Sequence, residues 1–295
     1  MQDLHNLSDE SILQEIERRF KEKNASIEES EFLNKKLIDL NQRLIEVDSV
    51  KSEFLSLIKN EFNNPISSVL NICSIVLTGK KPEKTTELVE MLHMEILRLD
   101  FQIKNIIAAS EIEAGKTESY YTKINFESIL SDAKSAFIYL IKDKNINIVL
   151  QNDCSEKIIS DASKLYLIIS NLLSNACEYT YPDKTITVRL KNDDTKLYIE
   201  VEDEGEGISV DNKMLVYNRF SQFNQGVNRA KTGLGLGLSV VKGEVEALDG
   251  EIDYDSEHGK TVFKVEIPLA NECQECGSGG GNDILFEDFD DAFEM

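Results

Sequence analysis

Residues 161–180 read DASKLYLIISNLLSNACEYT. The run is helical in character, and Asn171 and Asn175 stand four residues apart, on one face of such a helix. An amide oxygen is a hard ligand suited to Mg2+, which keeps most of its own water and also takes phosphate oxygens. Downstream, Asp203-Glu-Gly205-Glu-Gly207 follows a period-two run directly. A carboxylate acceptor at a strand end, beside glycines that let a flat ligand approach, suits an amino group such as that of adenine. D-x-G-x-G turns are common, so this motif says little by itself. Gly233-Leu-Gly235-Leu-Gly237-Leu238 then opens a helix, where backbone N–H groups favour phosphate. Gly259-Lys-Thr261 precedes the last strand.

Outward from this block, alternating runs at 146–150, 186–190, 197–201 and 263–267 predict strands with one wet face. Asn192-Asp-Asp194 marks the tip of a hairpin over 185–202. Helices are expected at 129–141, 161–179 and 237–249. The result is an α+β architecture, a mixed sheet covered on one side by helices, over residues 117–270.

The first third has a different period. Ser11-Ile-Leu-Gln14 has the form of a capping box. Leu33, Leu37, Leu40, Leu44 and Val47 are spaced four, three, four, three, and Val50, Phe54 and Leu57 continue the seam. So narrow a stripe on so long a helix predicts a coiled coil, most simply with a second copy of the chain. Pro65 removes one backbone donor and is expected to kink the helix. Gly79 and Pro82 mark a stop and a new start, and a second helix runs from Leu88 to about Glu113, ended by Gly115. Two such hairpins make a dimeric four-helix bundle. The expected division is a signalling helix over 1–44, a helical hairpin over 45–116, the α/β sandwich over 117–270 and a tail over 271–295.

Composition narrows the function. The 32 Lys and Arg face 54 Asp and Glu, a net charge of −22. Nothing in that balance attracts nucleic acid or an anionic membrane. No stretch approaches eighteen consecutive apolar residues, and the start lacks the pattern of a secretory signal. The five scattered cysteines read as reduced thiols of a cytoplasmic protein. Cys273 and Cys276 form a lone C-x-x-C without partners for a zinc site. The tail from Gly277 is a Gly-rich linker followed by an acidic and aromatic segment. It reads either as a docking peptide or as a disordered or appended tail, the last two weighing more.

The four motifs, in this order, resemble the ATP-binding (Bergerat-type) domain of sensor histidine kinases, in the superfamily shared with gyrase, Hsp90 and MutL. Residues 161–180 are similar to its N box, Asp203–Gly207 to its first glycine box and Val216–Phe220 to its F box. Gly233–Leu238 and Gly259–Thr261 resemble its later glycine boxes. The resemblance implies that Asn175 coordinates Mg2+ with Asn171 in support, and that Asp203, with Gly205 and Gly207, reads adenine. A lid over about 211–233, with Arg219 near the phosphates, and Thr261 by the last strand would complete the nucleotide site. Residues 50–70 resemble the dimerisation and phospho-acceptor helix. This hairpin separates the histidine kinases from the gyrase, Hsp90 and MutL branches. The implied cofactors are ATP and Mg2+, and the implied partners are a second copy and a response-regulator receiver domain.

Two positions depart from the family. Its acceptor segment runs histidine, acid, two variable residues, Thr or Asn, then Pro; here it is Asn60-Glu61-Phe62-Asn63-Asn64-Pro65. An imidazole lone pair can attack phosphorus, whereas a carboxamide lone pair is delocalised. Autophosphorylation is therefore expected to be lost. Glu61 and Asn64 survive, the first implied to be the base for transfer and the second to position water for dephosphorylating a receiver. The other histidines, His5, His93 and His258, do not sit in an acceptor motif. Glu178 stands where many members carry Lys, and its charge opposes a triphosphate unless Mg2+ or the lid compensates. Asn60 fits a natural degenerate kinase, acting as a nucleotide-sensing scaffold or a phosphatase, and equally an engineered block in an active kinase. A chaperone- or topoisomerase-type ATPase fits the nucleotide boxes but not the hairpin.

Overall fold

A computed structural model describes residues 9–79, 82–154, 158–208, 215–219, 234–257 and 259–270. Within its first helix the side chains at 9–12, 25, 26, 28, 31, 43–55, 57 and 60 lie outside the description. So do Gly233, most of the expected lid, His5, His258, the C-x-x-C and the tail, while the expected seam is described only from Leu33 to Leu40.

The chain divides into two compact units, Met1–Leu57 and Ile58–Met295. In the first, helix α1 (Asp9–Leu77) carries exposed Leu33, Leu37 and Leu40, each at least half accessible. Its polar surface is laced by ion pairs of Arg18 with Glu15 and Glu22 and of Arg19 with Glu15. Such exposed pairs add little to stability.

In the second unit the remainder of α1 runs through Pro65 without ending there. The Pro65 side chain is buried. Gly79, at φ 59°, follows the end of α1. A single 3-10 turn over Pro82–Lys84 leads into α2 (Thr85–Glu113). Gly115 adopts φ 67°, and the bond from Lys116 N–H to Glu111 O closes the C-terminus of α2 in the manner of a Schellman turn.

The α/β portion contains β1 (Tyr121–Lys123), α3 (Phe126–Ala136), α4 (Ile138–Asp143), β2 (Asn147–Asp153), β3 (Ile159–Asp161), α5 (Ala162–Tyr179), β4 (Thr185–Asn192), β5 (Lys196–Asp203), α6 (Gly237–Ala247), β6 (Glu251–Glu257) and β7 (Lys260–Pro268). Five strands form a sheet in the order β2-β4-β5-β7-β6, with β2 parallel to β4 and every other pair antiparallel. Strands β1 and β3 make a separate antiparallel pair. The expected helix over 129–141 is split at Phe137, whose buried ring meets Phe101 of α2 edge-on at 5.1 Å.

Alternation sets the core. Ile186, Val188 and Leu190 of β4 and Leu197, Ile199 and Val201 of β5 are almost fully buried. Opposite them α5 presents Leu165, Ile168, Ile169, Leu172, Leu173 and Ala176, spaced to fall on one helical face. Each such Leu or Ile contributes about 1.5–3 kcal/mol by burial. Asp203 has the same parity as Leu197, Ile199 and Val201, so the strand directs its carboxylate toward the core side. Helix α2 packs on α3 and α6. Gly243 of α6 allows the closest approach, because a Cβ there would lie 2.5 Å from Ile112 Cδ1.

Candidate functional site

Helix α5 is fixed at both ends by side chains. At its start the Asp161 carboxylate accepts from the N–H groups of Ser163 and Lys164 at 3.0 Å each, and its other oxygen accepts from Tyr120 N–H at 2.7 Å. This is N-capping by a residue of the preferred type. At its end the Lys144 ammonium donates to the carbonyls of Cys177 at 2.9 Å, Thr180 at 3.1 Å, and Glu178. A cation there satisfies orphan carbonyls and complements the helix dipole. The apolar face of α5 then dictates where its polar residues fall. Asn171 is 3% exposed, whereas Asn175 and Glu178 are half-buried.

The end of α5 is tied to the turn after β5. Thr180 bridges Gly205, and Tyr181 N–H donates to Glu204 O at 3.2 Å. Gly205 has no room for a side chain: a Cβ would sit 2.4 Å from Tyr179 O and 2.7 Å from Asp203 Oδ1. Gly207, at φ 79°, occupies the left-handed region, and a Cβ there would meet Glu257 O at 2.5 Å. Ile208 N–H donates to Ser256 Oγ at 2.7 Å, and Ser256 Oγ lies 3.1 Å from Thr261 Oγ1. Thr261 is buried and pairs in register with Asp203.

Asp203 is 5% exposed, and its Oδ1 finds no hydrogen-bond partner among the described residues. Burial pushes its carboxyl up to about 7; the Gly205 backbone N–H opposes that rise and Glu202 adds to it. Thr180 Oγ1, at the same corner, is also buried and unpartnered. A buried acceptor left without a donor, beside a glycine that lets a flat group in, fits an exocyclic amino group. On this observation the residues present fit the adenine end of ATP.

Asn171 lies against the start of α6. A Cβ on Gly237 would be 2.9 Å from Asn171 Oδ1. Asn171 Nδ2 donates to Leu167 O at 2.8 Å and to Asn105 Oδ1 of α2 at 2.7 Å. Gly235 has φ 64°. Among the described residues no cluster of three or more His, Cys, Asp and Glu could hold a metal, so a cation here would rely on amide oxygens and on the phosphates of its ligand.

The structure thus brings Asp203, Gly205, Gly207 and Thr261 together, and Asn171 together with Gly237. Other expected site residues have other neighbours. Arg219 Nη1 forms an ion pair with Glu113 Oε2 at 3.2 Å, at the end of α2. Glu61 and Asn64, with Pro65, Glu95 and Arg98, line a cavity of about 150 Å3 in the hairpin. Asn60 lies in α1. His93 is exposed and lines a separate cavity of about 290 Å3 with Leu97, Ser131, Lys134, Ser135 and Ile138.

Sequence reasoning missed Lys144, Asn105 and the buried pair of Lys164 and Glu244, 2.9 Å apart. Only Asn105 left a signal, as an amide in the apolar stripe of Phe101, Ala108 and Ala109.

Residues 160–271 match the family described as histidine kinase-, DNA gyrase B-, and HSP90-like ATPases. With the sheet, α5 and the glycine turns in place, these residues form an ATP-binding domain of that class. The relatives that the chain resembles over most of its length are named as histidine or sensor kinases. The circadian input-output histidine kinase CikA of Thermosynechococcus vestitus is 26% identical over 76% of this chain and 32% of its own length. The autoinducer 2 sensor kinase/phosphatase LuxQ of Vibrio parahaemolyticus is 26% identical over 74% of this chain and 26% of its own. In fold, full-length ShkA in complex with AMPPNP superposes with a TM-score of 0.52 at 22% identity, covering 75% of this chain and 47% of that one. The chain spans about a quarter to a third of the length of these curated relatives. No helix among the described residues is long and apolar enough to cross a membrane.

Proposed function

We propose that this chain is the cytoplasmic core of a two-component sensor histidine kinase in which ATP binding is kept and the acceptor step is lost at Asn60. The observation that carries the nucleotide reading is the buried Asp203 Oδ1 beside Gly205, without a hydrogen-bond partner among the described residues. Asp203 would accept from the adenine amino group, and Thr261 and Gly207 would frame the same end of the pocket. Asn175, half-buried one turn beyond Asn171, would offer its amide oxygen to Mg2+. Bound ATP and Mg2+ would supply the phosphoryl group and most of the charge neutralisation such transfer requires. The carboxylate of Glu178 makes binding strongly Mg2+-dependent in this reading, because it repels a bare triphosphate.

The exposed Leu33, Leu37 and Leu40 of α1 support pairing with a second copy through the helices. Transfer onward would go to an aspartate of a response-regulator receiver domain. Incorporation of acid-labile phosphate from labelled ATP tests the whole. Wild type is expected to incorporate none, and Asn60→His to gain it. If Asn60→His binds ATP and stays unlabelled, the kinase reading falls and a nucleotide-sensing scaffold takes its place.

A second activity has its own support. The hairpin cavity keeps Glu61 and Asn64 beside Arg98, a setting able to hold a water between a carboxylate and an amide. The chain is therefore expected to accelerate dephosphorylation of a phosphorylated receiver, and Asn64→Ala to remove the effect. Equal decay rates with and without the protein would rule this out.

A further inference from the structure

We infer that Asn105 of α2 is a positioning residue for the metal-nucleotide end of the site, acting through Asn171; the inference rests on the nucleotide-binding reading above. A carboxamide in a binding site has to present the correct atom, and nothing in an isolated side chain decides whether oxygen or nitrogen faces the ligand. Here the choice is made by a chain of hydrogen bonds that begins outside the ATPase domain. Asn105 Nδ2 donates to Phe101 O at 2.9 Å, one turn back in α2. That bond leaves Asn105 Oδ1 facing α5, where it accepts from Asn171 Nδ2 at 2.7 Å. The second donor position of Asn171 Nδ2 is taken by Leu167 O at 2.8 Å. With both of its N–H groups committed, Asn171 turns Oδ1 toward the glycine-rich edge at Gly237. The oxygen is the only acceptor of an amide, so Asn171 presents an acceptor, not a donor, to the edge of the site beside Asn175.

Both asparagines are buried, Asn105 at 5% and Asn171 at 3% exposure. Water therefore does not compete for these bonds, and loss of the Asn105 acceptor would leave a buried N–H unsatisfied. Asn171 stands one turn before Asn175, the residue read as offering its oxygen to Mg2+, and outer partners that hold such a ligand in place are worth roughly tenfold to a hundredfold in affinity. The arrangement also couples two regions. A displacement of α2 that breaks the bond would free Asn171 to rotate, so nucleotide affinity and hairpin geometry would influence each other reciprocally.

The test uses the full chain and calorimetric titration with two probes: ATP with Mg2+, and adenosine without metal. Adenosine reports only the Asp203 end. Asn105→Leu, which keeps the volume and removes the acceptor, is expected to weaken ATP–Mg2+ binding by roughly tenfold or more and to leave adenosine affinity unchanged. Asn105→Gln, which keeps both an amide oxygen to accept and an amide NH2 to donate, is expected to recover part of that loss. Unaltered ATP–Mg2+ affinity in Asn105→Leu overturns the inference. Equal losses for both probes also overturn it, since they mark general disruption of the fold. If the wild type binds neither probe, the nucleotide reading itself has failed; wild-type binding with an unaffected variant isolates the failure to Asn105.

Discussion

Asp203→Asn is expected to weaken ATP binding roughly tenfold to a hundredfold while making the ligand-free protein more stable at pH 8. The two effects have one origin. A carboxylate accepting from an amino group makes a charge-assisted bond, worth about 1.5–3 kcal/mol. An amide in its place is neutral, and turning its oxygen to the ligand turns its NH2 toward the Gly205 N–H. In the empty site that same carboxylate is a liability, because it is buried at the end of β5 with Oδ1 unpartnered among the described residues. Its folded value of about 7 lies above its ordinary 3.8. Between those values the folded state binds more protons than the unfolded state. Stability therefore falls as pH rises through this window, and the full cost, on the order of a few kcal/mol, is present above pH 7. The asparagine variant lacks this slope. Urea unfolding at pH 6 and pH 8 without nucleotide should show wild type losing stability toward pH 8 and the variant losing less. Adenosine, which carries no phosphate to titrate, should bind wild type roughly tenfold more weakly at pH 6 than at pH 8. A variant that is less stable than wild type at pH 8, with its ATP affinity intact, would contradict both halves of this account.

The legible part of the fold was the part written in short-range periodicity. Leu197, Ile199 and Val201 alternate because one face of β5 is buried, and Asp203 was legible as a carboxylate at the end of that strand while its burial was not. The wet-faced strand β6 escaped, since Glu251, Asp253, Asp255 and Glu257 alternate with only Ile252 and Tyr254 as large apolar residues. The break at Phe137 escaped too: its ring packs on Phe101, far earlier in the chain, a contact no local pattern encodes. In the candidate site, Gly205 and Gly207 were readable as a close-approach turn, and what they approach, Tyr179 O and Glu257 O, was not. Arg219 was placed near phosphate by resemblance alone, and its partner in the structure is Glu113. Lys144 could not have been singled out. A lysine in a charged chain gives no sign that its ammonium will close the carbonyl end of α5.

Glu244→Ala is expected to destabilise the protein by about 3–5 kcal/mol, the range for leaving one half of a buried ion pair behind. Lys164 near the start of α5 and Glu244 in α6 are 12% and 5% exposed and 2.9 Å apart. Burial, helped by Asp161 and Glu111, raises the Glu244 carboxyl above its ordinary range, and the Lys164 ammonium opposes that rise. The pair is thus a costly way to join two helices, and Coulomb attraction in a dry site repays desolvation only while both partners stand. Removal of either charge should therefore cost far more than removal of both. Lys164→Met would leave Glu244 among carboxylates, so its stability should fall further as pH rises. The double variant Lys164→Met, Glu244→Leu should unfold within about 1.5 kcal/mol of wild type, the range for volume-conserving core swaps, or above it. Because α6 begins at Gly237 against Asn171, the single variants should also weaken ATP–Mg2+ binding and the double should restore it. Urea midpoints for the four proteins close the cycle. A coupling energy below about 0.5 kcal/mol, or a double variant as unstable as either single, would mean that something other than this pair holds α6 against α5.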